Sequence, residues 1–220
     1  MVAFENIFKK FIAVHAGWFL KVLLFSVSTT SALSASAQNV EQDWPCIQAY
    51  VPQVAAAVVW PEPIDEAIEG TWRESDLLKT TVENFGNLES FSNADKEQLQ
   101  NFADSIPDGQ KIDNFNRVAD GIVEKFNQRR RDYLKGIRKF TRQQIAVAKQ
   151  IETNLNELSQ LAGKTDQASV TRKLEIEETT AWQQRIFDRR ESAIRLLCET
   201  PVELETLMGD ILRELAQNLP

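Results

Sequence analysis

Apolar residues recur at steps of three and four from Gln110 to Cys198, and no other feature constrains the chain as much. On the first half they are Ile112, Phe115, Ala119, Ile122, Phe126, Tyr133, Ile137, Phe140, Val147, Ile151, Leu155 and Leu158. That spacing keeps one stripe of a helix turned toward a partner. Gly163-Lys164-Thr165-Asp166 interrupts it, with Gly suited to follow a helix end and Thr or Asp suited to cap the next. A second helical pattern then runs through Val170, Leu174, Ala181, Trp182, Ile186, Ala193 and Leu197. Two long helices on so short a connection lie antiparallel. The expected fold is all-α: a helical bundle with a long, coiled-coil-like two-helix hairpin, its arms at about 110–163 and 167–199. Folding at Thr165 sets Leu158 near Arg172, Val147 near Trp182, Ile137 near Ala193 and Tyr133 near Leu197. Gln144 and Arg189 intrude on the stripes.

The flanking segments supply the bundle. Pro45 and Pro52 bracket a segment leading to Val54–Trp60, a short buried turn or helix, and Trp44 and Trp60 are expected to cover the hairpin base. Pro63 opens an amphipathic helix through Ile64, Trp72, Leu78 and Val82, ending near Gly86. Ser92 opens another, which carries Leu99 and Phe102 and stops at Pro107. Gly121 and Gly136 mark expected bends in the first arm. Thr200-Pro201-Val202-Glu203 reads as a restart, with a final helix from Leu204 to Leu215 lying beside residues 112–127.

The first 37 residues read as a signal peptide: Lys9, Lys10 and Lys21, then an apolar run from Val22 to Ala35, then Ala35-Ser36-Ala37 before Gln38. The alternative is an inner-membrane anchor over residues 11–28, against which Lys21 and His15 count. The expected location is the periplasm, with residues 38–220 forming one helical domain. Two thiols in an oxidising compartment tend to pair, and the chain has only Cys46 and Cys198. Two buried free thiols are the other reading.

Charge is segregated. The chain carries −7, and the leader's net of +2 leaves −9 on the remainder, which disfavours nucleic acid as a partner. Residues 38–110 hold 14 acidic and 3 basic side chains. Residues 129–149 hold Arg129, Arg130, Arg131, Lys135, Arg138, Lys139, Arg142 and Lys149 against Asp132 alone. Consecutive arginines cannot all face a partner helix. Arg129, Arg130, Arg131, Arg138 and Arg142 are therefore a candidate docking face for an acidic protein or anionic lipid headgroups, with the acidic N-terminal segment competing as an internal partner.

Catalytic chemistry is thin. The only histidine, His15, lies in the leader, which removes histidine-based nucleophilic catalysis, histidine general bases and the common zinc sites. No G-x-S-x-G, P-loop or dinucleotide-binding glycine motif occurs. Asp65, Glu66 and Glu69 form one carboxylate group and Glu175, Glu177 and Glu178 another, each read as a solvated helix face. No metal or cofactor is expected.

Asp43-Trp44-Pro45-Cys46-x-Gln48, then Val51-Pro52, then Ala56 to Trp60-x-x-Pro63, form one set of signals. Trp182-Gln183 through Arg189-Arg190 to Leu197-Cys198-Glu199-x-Pro201-Val202-x-Leu204-Glu205 forms another. Together they resemble an uncharacterised family of exported helical proteins from α-proteobacteria, departing from it at Glu62, where Gly is expected. The resemblance implies pairing of Cys46 with Cys198 and carries over no activity, cofactor or catalytic residue. The expected function is a non-enzymatic periplasmic interaction or scaffold protein with a protein partner in the cell envelope. An anionic-lipid-associated binding module is the alternative, and an acid-dependent hydrolase comes third.

Overall fold

The computed structural model describes residues 43–220. The expected leader, its cleavage after Ala37 and the alternative anchor over residues 11–28 lie outside them. The elements are α1 (Ala56–Val59), α2 (Asp76–Gly86), α3 (Asn93–Ser105), α4 (Lys111–Gln160) and α5 (Gln167–Ala216). Short 3-10 turns sit at Glu66–Ile68, Thr71–Glu74 and Asp108–Gln110. The described residues form an all-α fold built on a helical hairpin.

Local chemistry sets the boundaries. Ser92 and Asp95 form a reciprocal capping box at the start of α3. The helix expected from Ile64 begins only at Asp76. Gly70, at φ 73°, breaks it in the left-handed region, and Ser75 supplies the cap, its side chain accepting from the Leu78 amide. Between α4 and α5 the turn holds Gly163 at φ 80°, and Asp166 caps α5 by accepting from the Ser169 amide at 2.9 Å.

α4 and α5 are each 50 residues long, about 75 Å at ~1.5 Å per residue. Bonds across the hairpin give the register: Arg172 to Glu157 at 2.7 Å, Asn154 Nδ2 to Thr180 Oγ1 at 3.1 Å, Gln144 Nε2 to the Phe187 carbonyl at 3.2 Å, and Arg130 to Glu205. The alignment follows the one expected from folding at Thr165. The buried stripe follows only in part: Phe115, Ala119, Ile122, Phe126, Ile137 and Ile151 are buried as expected, and several others are not. Tyr133, Leu155, Val170, Leu174 and Trp182 are 38–62% exposed, while Leu134, Ile137, Thr141, Gln144, Ile151 and Asn154 of α4 and Ile176 and Thr180 of α5 are buried along the seam. Asn154 also bonds Gln183 at 3.0 Å. Asn154 thus joins a hydroxyl and an amide of α5, while Thr141 bonds the Ile137 carbonyl of its own helix and Gln144 Oε1 is buried without a partner; such polar seam positions fix register at some cost in stability.

The second arm does not end at Glu199. α5 runs unbroken through Pro201, and Thr200 donates its hydroxyl to the Leu196 carbonyl inside the helix instead of capping a new one. A proline inside a helix costs roughly 3 kcal/mol. Pro201 is buried in phase with Leu204, Met208, Ile211 and Leu215, so a continuous apolar stripe offsets that cost.

The main core lies at the end of the hairpin away from its turn. There Phe115, Val118, Ile122 and Phe126 of α4 and Met208, Ile211, Leu212 and Leu215 of α5 meet α2, α3, Trp60 and Trp72. Gly121 lies in unbroken helix, and a Cβ there would stand 2.6 Å from a Val82 methyl and 3.0 Å from the Trp72 ring. Close approach accounts for this glycine. A Cβ at Gly136 would meet nothing within 4 Å. Gly121→Ala should therefore lose about 1–3 kcal/mol to overpacking, while Gly136→Ala should gain up to about 1 kcal/mol of helix propensity. Urea unfolding of the two variants reads the contrast, and equal shifts would refute this account of Gly121.

Candidate functional site: a strap held along the fourth helix

Outside α1, the segment from Asp43 to Pro63 is irregular and pairs with few of its own backbone groups, so it needs partners elsewhere. α4 supplies them. Asp43 accepts from Arg138 at 2.8 Å and Arg142 at 2.5 Å. The Val51 carbonyl accepts from Arg130 at 2.8 Å. Asn127 accepts from the Val54 amide and donates to its carbonyl, both at 2.9 Å, as a strand neighbour would. Asn116 accepts from Trp60 Nε1 at 2.7 Å and donates to the Pro63 carbonyl at 3.1 Å. The strap thus runs antiparallel to α4.

The Cys46–Cys198 disulfide, with Cα atoms 5.6 Å apart, fastens the same strap to α5. Trp44 Nε1 donates to the Gln48 carbonyl at 2.7 Å, and Gln48 Nε2 donates to the Cys198 carbonyl at 3.2 Å. Trp44 packs edge-on against Tyr50, and Arg138 lies over the Tyr50 ring. Asp43 is buried in the clasp.

The five candidate arginines therefore separate. Arg130, Arg138 and Arg142 hold the strap. Arg129 donates to the Gly86 and Leu88 carbonyls at 3.2 and 2.7 Å, placing a cation at the C-terminal end of α2, where the helix dipole favours it. Arg131 alone of the five is exposed with no ion-pair partner among the described residues. Lys135, Lys139 and Lys149 are exposed as well. The basic ridge offered to solvent is thus Arg131, Lys135, Lys139, Lys149 and the half-open side of Arg142.

Burial works to raise the Asp43 carboxyl, but hydrogen bonds and charge from Arg138 and Arg142 outweigh it and hold the group below its ordinary 3.8. A depressed acid pKa stabilises above the unfolded value, and that stability is lost as pH falls through the folded value. Asp120, which accepts from the Gly70 amide at 2.7 Å, is raised by burial and by Glu124, and so works in the opposite sense. Asp43→Asn should cost about 2 kcal/mol at neutral pH, the scale of hydrogen bonds to a charged group. It should also flatten the loss of stability below about pH 4. Melting followed against pH tests both; an unchanged acid limb in the variant would rule out the clasp as its source.

The carboxylate groups have local roles. Asp65 accepts from the Ala67 amide, and Glu175 accepts from Arg172 at 3.4 Å. A shallow cleft of about 320 Å³ lies among Phe91, Lys96, Asp210, Arg213, Glu214 and Gln217, where Arg213 pairs with Asp210 and Lys96 with Glu214. Among the described residues, no group of His, Cys, Asp and Glu could hold a metal ion, and no helix is long and apolar enough to cross a membrane.

Beyond the Asp43 clasp, the core cluster contributes nothing to the hairpin: no residue between Phe126 and Leu204 belongs to it. Asn116 and Asn127 are the strap-holding residues that sequence reasoning missed. Their signal was a polar side chain in phase with the apolar stripe of α4. Comparison with protein-family models, with curated proteins and with solved structures finds no match.

Proposed function

We propose that the protein is a non-enzymatic helical interaction protein of the cell envelope, with the hairpin arm as its docking element and the bundle as its mount. The observation that carries this reading is the arm's surface. Outside the main core it exposes Ile145, Leu155, Leu174, Trp182 and Leu196 at 37–62%, together with the basic ridge on α4. A two-helix hairpin needs none of these outward side chains for its own seam.

The exposed Arg131, Lys135, Lys139 and Lys149 of the ridge favour a second reading, contact with anionic lipid headgroups. Replacing Arg131, Lys135 and Lys149 by Glu discriminates between them. All three are exposed, so melting should hold within about 1 kcal/mol of the parent. Retention lost on envelope extract but absent from both proteins on anionic vesicles supports a protein partner. Parallel loss on vesicles supports lipid. Unchanged retention on extract removes the ridge from the proposal.

A further inference from the structure

We propose that the outward face of α5 is the contact for a second copy of this chain, pairing antiparallel about Trp182. The inference adds to the reading of the arm as an interaction element and does not depend on what the basic ridge binds.

α5 has two stripes. One is the seam toward α4. The other lies on the far side and steps alternately by four and three residues through Glu175, Glu178, Trp182, Arg185 and Arg189, all exposed. That spacing puts the five side chains on one face, where a single large apolar group is flanked by two carboxylates on one side and two guanidinium groups on the other. Trp182 is 58% exposed at the middle of this stripe. Glu178, Arg185 and Arg189 form no ion pair among the described residues, and Glu175 reaches only its solvated helix neighbour Arg172.

The order of charges gives the occupant. Glu175 and Arg189 stand seven residues to either side of Trp182, and Glu178 and Arg185 stand four before and three after it. An antiparallel second copy, related by a two-fold axis at Trp182, sets Glu175 against the partner's Arg189 and Glu178 against the partner's Arg185. Each pair occurs twice, and the two indoles meet at the axis. The same register sets Thr171 against Ser192 and Ala168 against Leu196, so the outer steps are small or apolar and free of like charge. Such a face is self-complementary, as an isologous interface requires. A parallel pairing would instead set Glu on Glu and Arg on Arg, which like-charge repulsion opposes.

Sedimentation of the full chain over a wide concentration range tests the pairing. The parent should associate to a dimer. Glu175→Arg with Glu178→Arg, and separately Arg185→Glu with Arg189→Glu, should each weaken association by at least about a hundred-fold, because four attractive pairs become repulsive. Mixing the two variants should restore a dimer, since all-Arg then faces all-Glu. Unaltered helix content and melting show that each variant folds. As a check independent of charge, Trp182→Cys should cross-link to its own copy on oxidation. Glu175→Cys should not, because the two equivalent positions lie about 21 Å apart along the axis. A parent that stays monomeric at every concentration, or a dimer indifferent to both charge reversals, overturns the proposal. Retention of the ridge variant on envelope extract is measured separately, so failure of the dimer and failure of the docking reading are told apart.

Discussion

Replacing Cys46 and Cys198 together by Ser is expected to lower the unfolding free energy by about 5 kcal/mol. The bridge closes a loop with a sequence separation of 152. In the chain-entropy account, releasing so long a loop gives the unfolded chain that much extra freedom. The loss also has a local signature. The strap meets α5 through the disulfide and the Gln48–Cys198 bond, and meets α4 through separate side chains of Asn116, Asn127, Arg130, Arg138 and Arg142. Without the bridge, residues 43–50 should become sensitive to protease first, while the strap from Val54 to Pro63 stays protected by the two asparagines. Urea unfolding of the parent and the serine variant gives the magnitude, and limited proteolysis gives the order. A change below about 1 kcal/mol would mean that the helices alone carry the stability.

Arg130→Ala is expected to cost about 3 kcal/mol, and Arg131→Ala no more than about 0.5 kcal/mol. Arg130 is 4% exposed, donates to the Val51 carbonyl and pairs with Glu205 of α5, so one side chain joins strap, α4 and α5. Its loss removes the donor to the Val51 carbonyl and leaves a cavity beside the seam. The cost falls toward the low end for a broken buried pair because Glu205 is 39% exposed and can rehydrate. Arg131, next in sequence, points to solvent. Equal effects at the two positions would contradict the inward use of the run.

The hairpin was legible because its evidence is long and redundant. Steps of three and four over both arms, with Gly163 and Asp166 between them, leave few alternatives to two antiparallel helices. The start of α3 at Ser92 was legible for a local reason: a side chain suited to cap stands directly before the helical pattern. Hydropathy placed Ile137 and Ile151 in the seam correctly but missed Thr141, Gln144, Asn154 and Thr180, which are buried there, Gln144, Asn154 and Thr180 bonding across it. No count of apolar residues finds a seam that is partly amide and hydroxyl. Pro201 was misread from strong local signals, Thr before it and Glu after it. The apolar stripe of Leu204, Met208, Ile211 and Leu215, in phase with Pro201, outweighed them, and tertiary packing overrode a cap. The arginine run showed its charge and not its direction. Asp43, which turns Arg138 and Arg142 inward, lies 95 and 99 residues away in sequence.

The central functional claim is that the arm makes the contacts and the bundle carries the arm. Photo-reactive residues placed in the full chain in living cells, at Trp182 and Lys135 on the arm and at Leu77 on α2, test it most directly. All three positions are exposed, Leu77 at 48% and Trp182 at 58%, so accessibility alone does not distinguish them. The account predicts discrete cross-linked species from Trp182 or Lys135 and none from Leu77. Cross-links from Leu77 with none from either arm position would contradict it.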